Sequence, residues 1–141
     1  MSQEDNKNLV RQFYQAFDRG DLQALDALVA DDFLNHTARP GLAPGREGFR
    51  QGARILMAAF PETHTTVDLL VAEGDLVTAV HTHEGLHSGP YLNFPATGKH
   101  FRINGIEVFR IVDGKIIEYW RQDDEMGMLM QIGVIPMPAR S

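Results

Sequence analysis

The stretch Asn104–Met130, NGIEVFRIVDGKIIEYWRQDDEMGMLM, decides the fold. Apolar and polar residues alternate on both sides of Val112-Asp113-Gly114, the pattern of a β-hairpin. A short helix follows it. One face of the hairpin carries Glu107, Phe109, Ile117, Tyr119 and Arg121, apolar at the turn end and ionisable at the far end. Such a face suits the floor of a pocket. A three-residue loop with Gly114 in the left-handed region pairs Ile111 with Lys115. Phe109 then faces Ile117, Glu107 faces Tyr119 and Gly105 faces Arg121, which keeps the apolar pairs together. Glu107 and Arg121 become diagonal neighbours. The other face, with Ile106, Val108, Glu118 and Trp120, is half apolar, so a second copy of the chain is expected to cover it as a homodimer.

Upstream of the hairpin the period is helical. Leu9, Val10, Phe13, Tyr14 and Phe17 form one stripe of a first helix over residues 4–18. Gly20 ends it, and Asp21 caps a second helix over residues 22–30. Asp31 to His36 is a short extended piece. Thr37–Arg46 is a loop, and a third helix runs from about Glu47 to Phe60, with Pro61 just past its end. The period then becomes two. Strands are predicted over Thr65–Ala72, Leu76–Leu86 (interrupted at Gly85), Phe101–Ile111 and Lys115–Gln122, with a loop over Ser88–Lys99 and a tail from Gly133 that frays or crosses to a partner. Three helices before a four-stranded antiparallel meander give an α+β fold, a curved sheet wrapped on helices as a cone with an open mouth.

Composition narrows the function. The 141 residues are 43% apolar and 23% charged, ordinary for a single folded domain over 1–141. The net charge of −6, with no basic stripe, speaks against nucleic acid. There is no cysteine, so disulfides, thiol chemistry and cysteine-rich zinc sites are excluded. No segment has the apolar length of a signal peptide or a membrane span, and a cytoplasmic location is the expectation.

The run from LVRQFYQAFDRGDLQALDALVADDFLNH through PGREGFRQG and AAFPETHTTVDLLVAEGDLV to HSGPYLNFPATGKHFRINGIEVFRIVDGKIIEYW resembles the SnoaL-like polyketide cyclase (ester cyclase) family, within the nuclear-transport-factor-2-like, cystatin-like α+β roll superfamily. The likeness covers roughly residues 5–135. GLHSGPYLNFPATGK, from Gly85, and FRIVDGKI carry most of it. The resemblance implies a dimeric cone with an apolar cavity and intramolecular aldol ring closure without metal or cofactor. It also implies an acid/base aspartate just after the position of Trp120 and an assisting histidine on the preceding strand. Arg121 and Glu107 occupy those two positions here. Arginine stays protonated and cannot accept a proton.

Several side chains are therefore candidates. Glu107 is a base next to a substrate carbonyl, with Arg121 or Tyr119 stabilising the enolate. Alternatively, Glu107 and Arg121 form a structural ion pair, or Arg121 binds a substrate carboxylate. Asp123 points inward with Arg121 as a reserve base, whereas Asp124 fits as an N-cap. Tyr14, His36, His83, Phe109 and Tyr119 are candidate substrate contacts. His81 and His83 share a strand face, which also admits a metal reading, although His87 is separated from them by Gly85. Met126, Met128 and Met130 form core or a pliable pocket wall. Two classes stay open: a cofactor-free cyclase, isomerase or lyase acting on a small, mostly apolar carbonyl compound, or a non-catalytic ligand-binding or dimerisation domain.

Overall fold

A computed structural model describes residues 2–138. Helix α1 (Gln3–Asp18) starts at a capping box in which the Ser2 hydroxyl accepts from the Asp5 amide and the Asp5 carboxylate accepts from the Ser2 amide. Gly20, at φ 69°, lets the chain turn back, and Asp21 caps helix α2 (Leu22–Ala27) through the Ala24 amide. Strand β1 (Val29–Asn35) and helix α3 (Arg46–Ala59) follow. Strands β2 (Thr63–Glu73), β3 (Leu76–Leu86), β4 (His100–Val112) and β5 (Lys115–Asp123) come next, and helix α4 (Glu125–Gln131) closes the fold. As the sequence suggested, Asp124 is the N-cap of α4, accepting from the Gly127 amide at 2.9 Å. Of the tail expected from Gly133, residues 139–141 lie outside the described residues.

The sheet has five strands, not four, in the order β1-β5-β4-β3-β2. The piece that leaves the second helix pairs with β5 in parallel, Leu34 opposite Glu118 and Asn35 opposite Tyr119. The remaining pairs are antiparallel. Gly85 does not interrupt β3, because it sits in register opposite Phe101 and Thr63, where a Cβ would press on both side chains. Helices α1 and α3 pack on the concave face of this curved open sheet. No helix among the described residues is long and apolar enough to cross a membrane.

The hairpin register differs from the expected one. Val112 lies opposite Lys115 and Ile111 opposite Ile116, across a two-residue turn in which Asp113 (φ 51°) and Gly114 (φ 73°) are both left-handed. Those angles match the right-handed twist of the flanking strands. Ile117 is then an extra residue on β5, and Arg110 pairs with Glu118. This bulge solves the mixing of faces that argued against the short turn. Ile116, not Ile117, is fully buried. Phe109 faces Tyr119, Glu107 faces Arg121 and Gly105 faces Asp123.

Two apolar clusters hold the layers together. The larger joins α1, α2 and α3 to the sheet through Val10, Phe13, Leu25, Phe109 and Ile116. The smaller joins the end of α3 and α4 to β4 through Phe60, Phe101, Ile103 and Ile132. A cavity lies between them, lined by members of both. The turn that sets the register is testable. Replacing Gly114 by Val forces a branched residue into left-handed space and is expected to cost at least about 1–2 kcal/mol in urea unfolding. An unchanged midpoint would contradict the turn geometry.

Candidate active site

Two rows of side chains cross the sheet beneath the cavity. In one, Ala79 of β3, Glu107 of β4 and Arg121 of β5 lie opposite one another. In the other, His81, Gly105 and Asp123 do so. Each row contains one small residue, and that residue makes room for its charged neighbours. The clearest case is Gly105: a Cβ there would stand 2.0 Å from Asp123 Oδ1 and 2.9 Å from His81 Cε1. His81 and Asp123 therefore meet over the glycine, although β4 runs between their strands.

His81 sits against two carboxylates. Its Nε2 is 2.8 Å from Glu107 Oε1 and 3.5 Å from Asp123 Oδ1. The angles are those of ion contacts, not of aligned hydrogen bonds. Glu107 also accepts the Tyr14 hydroxyl at 3.0 Å on Oε1 and the Tyr119 hydroxyl on Oε2. Asp123 Oδ2 accepts from Arg121 Nε at 2.7 Å. The side chains of His81, Glu107 and Asp123 are each no more than 5% exposed. Two carboxylates are thus buried together with one imidazole and one guanidinium, which is how charges survive out of water.

These contacts set the protonation states. Burial alone would push the His81 imidazole toward the neutral form, but Asp123 and Glu107 outweigh it and raise its pKa to about 9. Burial likewise works against ionised Asp123, yet His81 and Arg121 hold its carboxyl below the usual range. Burial and the adjacent Glu107 push the Tyr14 phenol well up, so it stays a hydrogen-bond donor. His83, two residues along from His81, behaves in the opposite way. Burial lowers its pKa to about 4 and keeps it neutral. The Thr65 hydroxyl donates its one proton to Asp18 at 2.8 Å, so at 3.0 Å it accepts from His83 Nδ1–H. His83 Nε2 is left as an acceptor.

Tyr14, His83, Glu107, Tyr119, Arg121 and Asp123 all line the cavity, as does His81. Phe109 does not. It is fully buried beneath the floor, against Phe13, Tyr14 and Tyr119. His36 lies away from the cavity lining, stacked on Trp120 at 4.6 Å and bonded to Glu118 at 2.7 Å. Glu107 and Arg121 are directly opposed, but Arg121 turns to Asp123 and Glu125, not to Glu107. The residue that sequence reasoning underweighted is His81. Its sequence signal was the shared face with His83, and only the β3–β4 register shows which of the two reaches Glu107. Arg39, from the loop before α3, also lines the cavity and bonds the Tyr91 hydroxyl at 2.7 Å.

Ligand atoms of His81, Glu107 and Asp123 lie within 4.8 Å of one another, a mixed nitrogen and oxygen donor set that a borderline divalent cation such as zinc accepts. Here His81 and Arg121 already place positive charge on both carboxylates, and two tyrosine hydroxyls occupy Glu107.

The family described as SnoaL-like polyketide cyclase matches residues 8–132. The nogalonic acid methyl ester cyclase of Streptomyces nogalater is 31% identical over 120 residues, covering 84% of this chain and 90% of that protein. The aklanonic acid methyl ester cyclase DnrD of Streptomyces peucetius is 32% identical over 130 residues, covering 89% of each. The structure of TsrD from Streptomyces laurentii superposes with a TM-score of 0.83 at 30% identity, over 96% of this chain and 99% of that one. With nearly its whole length matched, this chain belongs to the SnoaL-like polyketide cyclase family.

Proposed function

We propose that this chain is a cofactor-independent cyclase that closes a ring by intramolecular aldol addition in a small, mostly apolar carbonyl compound. The observation that carries the reading is the buried His81 between Asp123 and Glu107, beside an aromatic cavity. Asp123 lines the cavity, and its buried Oδ1 has no aligned donor among the described residues. Asp123 takes a proton from a carbon next to a carbonyl, and the C–H electron pair becomes an enolate. A carbon flanked by two carbonyls is acidic enough for a carboxylate of depressed basicity. The enolate carbon then bonds to a second carbonyl carbon of the same molecule. The electron pair released onto that oxygen takes the proton from cationic His81. The proton held on Asp123 returns to His81, and the product is an isomer of the substrate.

The other charged groups support these two. Glu107, fixed by the Tyr14 and Tyr119 hydroxyls, keeps the imidazole protonated and is a positioning residue. Arg121 keeps Asp123 ionised. Asp123 thus takes the part that the resemblance gives to an aspartate at the position of Arg121, two residues earlier on the same face of β5. We also read the outer sheet face as a homodimer interface, since Leu69, Val71 and Ile106 there are each at least 50% exposed.

Aklanonic acid methyl ester and nogalonic acid methyl ester, for which relatives are named, and the two corresponding free acids are the first substrates to assay by chromatography of the ring-closed isomer. Asp123→Asn and His81→Gln are each expected to lower turnover by about 10²–10⁴. Full activity in Asp123→Asn would refute the proposed base. Because the reaction needs ionised Asp123 and protonated His81, the rate should be flat across neutral pH and fall as pH rises through about 9. Light scattering should give twice the chain mass, and Ile106→Lys should halve it. A monomeric wild type would remove the dimer.

A further inference from the structure

We propose that Arg39 and Arg121 form a binding site for a carboxylate group on the ligand, at the end of the cavity that opens to solvent, and that Glu125 occupies it until the ligand arrives. The proposal rests on the reading of this cavity as the substrate site, and it names a feature of the substrate.

Exposure rises along the site. His81 and Glu107 side chains are 3% and 5% exposed, Arg39 and Arg121 each 23%, and Glu125 41%. The two arginines therefore stand between the buried acid/base groups and solvent. A single oxygen, Glu125 Oε1, lies 2.6 Å from Arg39 Nη2 and 3.5 Å from Arg121 Nη2. A carboxylate oxygen already fits between the two guanidinium groups. Both arginines line the cavity, whereas Glu125 does not. Their positions are fixed by other bonds, Arg39 Nη1 to the Tyr91 hydroxyl at 2.7 Å and Arg121 Nε to Asp123 at 2.7 Å. The site is thus preorganised without Glu125.

Glu125 is a poor permanent partner. It is the first residue of α4, and ion pairs this exposed are weak. When it swings into solvent, three cations (Arg39, Arg121 and His81) face two carboxylates (Glu107 and Asp123). The site then carries one excess positive charge. A ligand carboxylate neutralises it and can span both guanidinium groups, a geometry that planar forked donors favour. The apolar body of the same ligand would lie against Phe13, Phe49, Phe60 and Phe101. An aromatic acid matches this combination better than its neutral ester does.

Calorimetric titration with 2-naphthoate and methyl 2-naphthoate at neutral pH tests the proposal. The acid is expected to bind at least about tenfold tighter than the ester. Arg39→Gln should remove that preference, lowering acid affinity about tenfold more than ester affinity. Glu125→Gln should tighten the acid severalfold, because the internal competitor is gone. Equal binding of acid and ester, binding of neither, or weaker acid binding in Glu125→Gln would overturn it. The cyclase reading is judged separately. Ester turnover that survives in Arg39→Gln, with no acid preference in the wild type, contradicts the carboxylate site alone. An intact acid preference with full ester turnover in Asp123→Asn contradicts only the cyclase mechanism.

Discussion

The register of the β4–β5 hairpin determines which side chains enter the cavity. A β-strand presents alternate residues to opposite faces, so a slip of one residue would exchange the whole set. Here the left-handed pair Asp113-Gly114 makes the tightest turn, and the extra residue Ile117 restores the phase beyond it. Phe109, Glu107 and Gly105 then fall opposite Tyr119, Arg121 and Asp123. Without the bulge, those residues of β5 would point away from the helices. The cavity would keep its phenylalanine wall and lose Tyr119, Arg121 and Asp123.

Register alone would still leave the charged groups too crowded to coexist. The sheet resolves this by alternating size across each row. Gly105 lets His81 and Asp123 meet across the middle strand, and Ala79 leaves space beside Glu107. Burial of the carboxylates would be costly in isolation. It is offset by an imidazole held in its charged form, a guanidinium on Asp123 and two phenols on Glu107. The same contacts that stabilise the charges set the protonation state: anionic neighbours hold the His81 imidazole in its charged form. His83, on the same strand but bonded to a hydroxyl, stays neutral. Two histidines two residues apart thus reach opposite protonation states, His81 through the carboxylates beside it and His83 through burial.

Much of the fold was legible in the sequence, since it rests on local signals. Helical stripes, the caps at Asp21 and Asp124 and the period-two strands are written in short windows. The parallel pairing of β1 was not, because Asp31–His36 has no strong strand pattern and is held by a distant partner. The register was misjudged for a related reason: the turn and the bulge are individually plausible choices, and only their combination satisfies both faces. In the site, Glu107, Tyr119, Arg121 and Asp123 could be gathered from strand alternation, and Tyr14 from the helical stripe. The pairing of Glu107 with His81 could not, because it depends on the β3–β4 register. Nor could the position of His36, which leaves β1 beside Trp120 and stacks on its ring.

The account depends on Asp123 and Glu107 holding His81 as an imidazolium. Nuclear magnetic resonance of the His81 ring across pH measures this directly. The predicted result is a protonated ring at neutral pH, titrating at about 9 in the wild type and at a lower pH in Asp123→Asn. A His81 ring that is already neutral at pH 7, or one whose titration is unchanged by Asp123→Asn, would contradict it.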